Sequence, residues 1–160
     1  MKKPWNLSDV TIYSLASYDT EQEVNMNICT YVTPMSMDPK LYSIAVYRNT
    51  KTLENCLNTQ KVILQILSKD QIQLVNTLGK KSGLNYNKKK YLDKKQVLTF
   101  WENQEVLKEC AAYVLLEKVE VIDIEESDHI LFIYKVLKAK TNHNQLLTLN
   151  DLRDKKLVRI

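Results

Sequence analysis

"NICTYVTPMSMDPKLYSIAVYRNTKTLEN", residues 27–55, runs from a strand-like stretch through a proline turn into a second strand and then a polar helix start. Its middle, "LYSIAVY" at 41–47, carries β-branched and aromatic side chains and reads as a strand. Ahead of it, Asp38-Pro39 restricts the backbone away from helix, so "MSMDPK" reads as a turn. Behind it, Arg48, Asn49, Thr50 and Thr52 stand at the strand exit, just before Leu53, Cys56 and Leu57 at helical spacing. Two readings fit this exit. In one, Thr50 is an ordinary N-cap and Arg48 is solvated. In the other, the segment holds a phosphate: Arg48 grips it with two charge-assisted bonds, Thr50 and Thr52 add hydroxyls, and the unpaired first-turn amides add the positive helix end. Thr52 lies inside the first turn, where capping is not its task, and local spacing leaves both readings open.

Outward from this stretch, strands dominate. Residues 10–17, 24–33, 61–67, 111–124 and 129–139 read as strands, and "QLLTL" at 145–149 as a last strand or edge segment. The apolar phase of 111–124 switches near Glu117 and Lys118, which predicts a bulge or a strand turning between two surfaces. "EESD" at 125–128 joins that strand to its hairpin partner. Helices are predicted over 50–58 and 69–78, the second opened by a capping box of Ser68 and Gln71 and ended by Gly79. Residues 80–96, rich in Lys, Asn and Tyr, read as a long loop with one turn of helix. The pattern is mainly β: one domain over 1–160, an antiparallel barrel of about six strands with short connecting helices. No internal repeat or linker interrupts it.

Composition narrows the chemistry. With only two glycines, Gly79 and Gly83, the chain has neither G-x-G-x-x-G nor a Walker loop, so a nucleotide phosphate must be held without glycine-rich turns. Three scattered cysteines and two histidines complete no zinc pattern, and Cys29, Cys56 and Cys110 read as buried, reduced thiols of a cytoplasmic protein. The start, Met-Lys-Lys-Pro-Trp, has no apolar core of a signal peptide, and no apolar run is long enough to span a membrane. A net charge of +4 is mild for a nucleic-acid binder, although a small barrel binding single strands through Tyr86, Tyr91 and the lysines of 80–95 is the reading of another class.

The order of motifs resembles the flavin-reductase-like family of FMN-binding split β-barrels, the flavoredoxin and NAD(P)H:flavin oxidoreductase type. Asn27 and Thr30 match its Asn-x-x-Thr strand, and Ser36, Asp38 and Pro39 its Ser-x-Asp-Pro turn. Arg48 to Thr52 match its polar segment, "KSGLNYNKKK" its Ser-Gly loop with a downstream lysine, Glu109 and Cys110 its Glu-Cys strand, and Asp128 and His129 its Gly-Asp-His turn. Ser127 stands where the family has glycine, and Lys40 where it has a second proline.

The resemblance implies an FMN-bound oxidoreductase that takes electrons from NAD(P)H and passes them to free flavin or another small acceptor, in a homodimer with the flavin at the interface. A flavin-binding electron-transfer module with no pyridine-nucleotide reaction is the alternative. The implied cofactor-binding residues are Asn27, Arg48, Asn49, Thr50 and Thr52, and the strand Thr30, Tyr31, Val32 and Thr33 lying along the flavin ring. Lys88 is the family's lysine, although Lys88, Lys89 and Lys90 read as a solvated run. His129 is placed near the flavin by the same likeness, while His143 has only a loop reading. Spacing assigns no catalytic acid or base, and hydride transfer between stacked rings needs none.

Overall fold

In the computed structural model, which describes residues 3–158, period-2 alternation builds most of the molecule. Met1 and Lys2 of the N-terminal segment, and the last two residues, lie outside the described residues. The strands are β1 (Tyr13–Tyr18), β2 (Val24–Met26), β3 (Val32–Ser36), β4 (Leu41–Tyr47), β5 (Lys61–Ile66), β6 (Leu98–Trp101), β7 (Gln104–Leu107), β8 (Ala112–Ile122) and β9 (His129–Thr141). The helices are α1 (Lys51–Asn58), α2 (Ile72–Lys80), α3 (Lys88–Lys95) and α4 (Leu149–Asp154). All ladders are antiparallel, in a sheet of order β2-β1-β5-β8-β9-β4-β3 with β6 and β7 as a separate hairpin.

The strand expected over 24–33 is two short strands. β2 pairs with β1 at one edge of the sheet and β3 pairs with β4 at the other, so the chain between them carries the barrel across its split. There Cys29 pairs with Tyr13, Ala45 N–H donates to Tyr31 O at 3.0 Å, and the Asn27 side chain accepts from Leu15 N–H at 2.9 Å in place of a ladder bond. Counting β2 and β3 as one broken strand restores six barrel strands.

Alternation along β1 and β5 sends residues into two different cores. Leu15, Val62 and Leu64 join Ile44, Val46, Leu116, Phe132 and Tyr134 inside the barrel. Ala16 and Ile63 face outward beneath Leu74, Val75, Leu78, Leu92 and Leu152 of the helices. The predicted phase change in β8 is real: its register shifts at Leu115/Leu116 and again at Lys118/Glu120. Between those shifts, Lys118 Nζ donates to Cys56 O at 2.8 Å and Leu57 O at 2.9 Å, closing the C-terminus of α1.

Several local expectations are corrected. α1 buries Thr52, Asn55 and Cys56, and Leu57 is exposed. Gln71 Oε1 accepts from Ser68 N–H at 2.8 Å as the capping box requires, but the pair opens a 3-10 turn that leads into α2. Gly79 does not end α2, because the helix runs to Lys80 and no glycine has a left-handed backbone. The 80–96 loop contains all of α3, started by Asn87 Oδ1 accepting from Lys90 N–H at 2.8 Å and ended by left-handed Gln96. Its amphipathic signal is weak, since only Lys88 and Leu92 are buried. The hairpin of β6 and β7 and the helix α4 have no counterpart in the sequence reading. Instead of a last strand, the 145–149 stretch makes isolated bridges from Leu146 to Ser68 and from Thr148 to Thr11.

Candidate functional site

One cleft of about 330 Å³ gathers residues from four separated segments. Asn27 and Ile28 come from the break between β2 and β3; Tyr47, Asn49, Thr50, Lys51 and Thr52 come from the β4–α1 exit. Lys80 ends α2, Lys81 to Gly83 follow it, and Lys88 opens α3. The β4–α1 exit is shaped by Asn49 in left-handed backbone (φ 57°) and by Thr50 in extended backbone before the helix. Thr50 caps α1: its hydroxyl accepts from Leu53 N–H at 3.1 Å and donates to Tyr47 O at 2.8 Å. The amides of Lys51 and Thr52, ahead of the first intrahelical bond, have no acceptor within the helix. Gly83 is required where it stands, since a Cβ there would meet Asn25 Oδ1 at 2.2 Å and Lys51 Cβ at 3.0 Å.

Lys88 is not solvated. It is 6% exposed, and its ammonium donates to Leu78 O at 2.8 Å and Met26 O at 3.0 Å. Neither acceptor is charged, and no carboxylate pairs with Lys88 among the described residues. Burial lowers its pKa from 10.5 to about 8. Ammonium groups retain a third N–H, and Lys88 borders both this cleft and an adjoining hollow of about 360 Å³ under residues 83–89. Lys89, by contrast, pairs with Asp93 and Glu105, and Lys90 is exposed. A buried cation lacking a counter-ion beside open helix amides suits an anion.

Arg48 does not join the cleft. Its Nε donates to Ser127 O at 2.8 Å, and its Nη2 donates to Ile124 O at 3.1 Å and to the Asp123 carboxylate. The bidentate phosphate grip expected of it is therefore replaced by a grip on the β8–β9 turn. Thr52, expected to have no structural task, is 2% exposed and accepts from Asn25 Nδ2 at 3.0 Å. The turn carrying Ser127 has no residue in left-handed backbone, which is why serine can stand there.

The strand 30–33 lies apart from the cleft. Thr30 borders a neighbouring apolar hollow of about 260 Å³ shared with Ile28, Cys29, Gly79 and residues of α4. Val32 faces the barrel core, and Thr33 is exposed on β3, an edge strand whose alternate amides have no partner in the sheet. Tyr31 is exposed, its ring 5.2 Å from that of His129. Tyr47 also lies 5.2 Å from His129 and links this aromatic group to the cleft. His129 Nδ1 is 2.6 Å from Asp128 Oδ1. Cys29 is half-buried rather than buried, and burial pushes it and Cys110 up to about 12 and Cys56 to about 11, so all three are unreactive thiols.

Of the expected residues, the structure brings together Asn27, Asn49, Thr50, Thr52 and Lys88. The sequence reading missed Lys51, Lys80, Lys81 and Tyr47. The lysines looked like surface charge, and only the fold shows them facing one hollow. Among the described residues, no helix is long and apolar enough to cross a membrane, and no group of three or more His, Cys, Asp or Glu side chains is placed to hold a metal ion.

Solved structures share this architecture. The flavin reductase of styrene monooxygenase from Pseudomonas putida S12 superposes with a TM-score of 0.73 at 18% identity, over 89% of this chain and 87% of that one. An FMN-binding protein from Thermus thermophilus gives 0.73 at 22% identity, over 89% and 77%. An NADH:FAD oxidoreductase from Streptomyces globisporus C-1027, solved in complex with NAD and FAD fragments, gives 0.68 at 14% identity, over 84% and 76%. At these identities the likeness establishes the split-barrel fold. No curated protein sequence matches the chain. Residues 9–156, nearly its whole length, match the family model described as "Flavin reductase like domain", and the chain therefore belongs to the flavin reductase-like family.

Proposed function

We propose that this chain binds FMN in the cleft at the β4–α1 exit and acts as an NAD(P)H-dependent flavin reductase, passing electrons to free flavin or another small acceptor. The observation that carries the binding site is Lys88, a buried ammonium without a carboxylate, lining the same cleft as Lys51 and Thr52 at the start of α1. The residues present fit a phosphate. Lys88 and the Lys51 and Thr52 amides would hold it, with Lys80, Lys81 and Ser82 closing from the α2 side. Asn27 and the edge at 30–33 would lie along the ring, and Tyr31, Tyr47 and His129 would flank it. When bound, FMN supplies a ring that accepts hydride and releases electrons singly or in pairs. The protein's own part is to hold the phosphate, orient the ring and leave one face open to a nicotinamide.

The same reading makes the molecule a homodimer. Register places Tyr31, Ala45, Leu131 and Ile122 in one row across β3, β4, β9 and β8, on the outer face of the sheet. Tyr31 and Ile122 are exposed there, as are Tyr47 and Ile124 nearby. A second copy on this face would bury the row and cover the ring.

An absorption spectrum tests the reading. Protein mixed with FMN and passed over a desalting column is expected to stay yellow, and NADH or NADPH to bleach it. A colourless eluate together with no effect of protein on NAD(P)H oxidation by free FMN would remove the proposal. A yellow eluate that neither nucleotide bleaches would leave an electron-transfer module.

A further inference from the structure

The β8–β9 ladder ends at Ile122 opposite Leu131, so residues 123–128 project beyond it. Arg48 holds that projection from β4. Its backbone amide donates to Asp128 O at 2.9 Å, its Nε to Ser127 O at 2.8 Å, and its Nη2 to Ile124 O at 3.1 Å and to Asp123. What the projection carries is the Asp128–His129 pair. His129 N–H donates to Ser127 Oγ at 3.1 Å, so the residue whose carbonyl Arg48 binds also supports the histidine backbone. The imidazole packs against both Tyr31 and Tyr47, each ring centroid 5.2 Å away, at interplanar angles of 57° and 69°. With Asp128 at Nδ1, Nε2 is the nitrogen left to meet a ligand.

We propose that Arg48 is a positioning residue: it locks the 123–128 turn so that the Asp128–His129 pair is held against Tyr31 and Tyr47, the latter lining the cleft. Its part in the chemistry then runs through His129 and not through a phosphate. The kinetic consequence rests on the flavin reductase reading above; the placement of His129 does not.

The test is Arg48→Met, which keeps an apolar stem and the backbone bond to Asp128 O and removes the side-chain donors. The chain has two histidines, so His143, far along the sequence in the 142–145 segment, serves as an internal control in nuclear magnetic resonance. In the native protein, His129 ring protons are expected to show through-space contacts to the rings of both Tyr31 and Tyr47. In Arg48→Met those contacts disappear and the His129 ring nitrogens shift, while the His143 signals stay in place. FMN affinity, read by fluorescence quenching, stays within threefold, and KM for the nicotinamide cofactor rises about tenfold. Unchanged His129 signals in folded Arg48→Met would overturn the proposal, and so would a loss of FMN affinity beyond threefold. Asp123→Asn weakens one of the four bonds and guards against misfolding of the first variant. It is expected to move the same His129 signals by a smaller amount, and the absence of any shift in that variant would count against the clamp. If native protein binds no FMN, the flavin reading fails while the His129 contacts still decide the role of Arg48.

Discussion

Lys88 is the residue on which the proposed FMN site rests most directly. An ammonium whose pKa is lowered to about 8 by burial loses its proton in the folded chain before it does in the unfolded chain, where the ordinary value is 10.5. Between these values the unfolded state binds more protons, so stability without ligand is expected to rise as pH goes from about 8 to 10.5. Denaturant melts of the native protein and of Lys88→Met across that range would check it, the variant lacking the rise. A bound phosphate reverses the preference by favouring the charged form. FMN affinity is therefore expected to weaken above pH 8, and binding at pH 9 to take up protons, measurable by calorimetry in buffers of different ionisation enthalpy. The two threonines separate differently from what their spacing suggested. Thr50→Ala removes a cap and is expected to cost ~1 kcal/mol of stability. Thr52→Val strands the buried Asn25 amide, which lines the adjoining hollow, and is expected to cost ~1–3 kcal/mol, with FMN binding weakened alongside. A denaturation midpoint shift larger for Thr52→Val than for Thr50→Ala would agree. That Thr50 caps α1 was readable from its position before an amphipathic run. That Arg48 turns away was not, because its acceptors at 123–127 lie more than seventy residues ahead in sequence.

Lys118 shows how an irregular strand serves a helix. The phase switch at Glu117 and Lys118 was visible in the apolar pattern, but its purpose was not. The bulged stretch brings an ammonium to the last carbonyls of α1, where a cation also meets the negative helix end. Lys118→Met keeps the stem and loses both bonds, and a stability loss of ~1–2 kcal/mol is expected by chemical denaturation, with FMN affinity kept within about threefold because the cleft lies at the other end of α1. The hairpin of β6 and β7 escaped the sequence reading because its strands have only four residues each. Its signal was the turn itself: Glu102 and Asn103 both adopt left-handed backbone (φ 49° and 61°), the two-residue hairpin turn that Asn and Gly favour. Helix α3 escaped because a lysine-rich helix lacks an apolar stripe; its one long apolar anchor, Leu92, reveals itself only against the core.

For the whole molecule, the proposed homodimer would pair through the outer face of β3, β4, β9 and β8. Sedimentation velocity is expected to give a dimer, and Ile122→Lys, which puts a charge into the apolar row, is expected to shift it to monomer and to weaken FMN binding by about tenfold or more. A native monomer that binds FMN tightly would contradict both. The antiparallel, strand-rich architecture with short connecting helices was legible because period-2 alternation and turn residues are local: they follow from backbone geometry and from which faces need burial. So was the exit of β4 into a capped α1, for the same local reason. Only the tertiary structure decided which polar residues share a hollow. Lys88 is charged like its neighbours Lys89 and Lys90, and nothing within three or four residues marks it as the one that is buried. Its burial is set by carbonyls of Met26 and Leu78, brought to it by β2 and α2 from 62 and 10 residues away. Arg48 went to a turn rather than to a phosphate for the matching reason: a guanidinium takes the acceptors that the fold places within reach, and those are fixed by the pairing of β4 with β9.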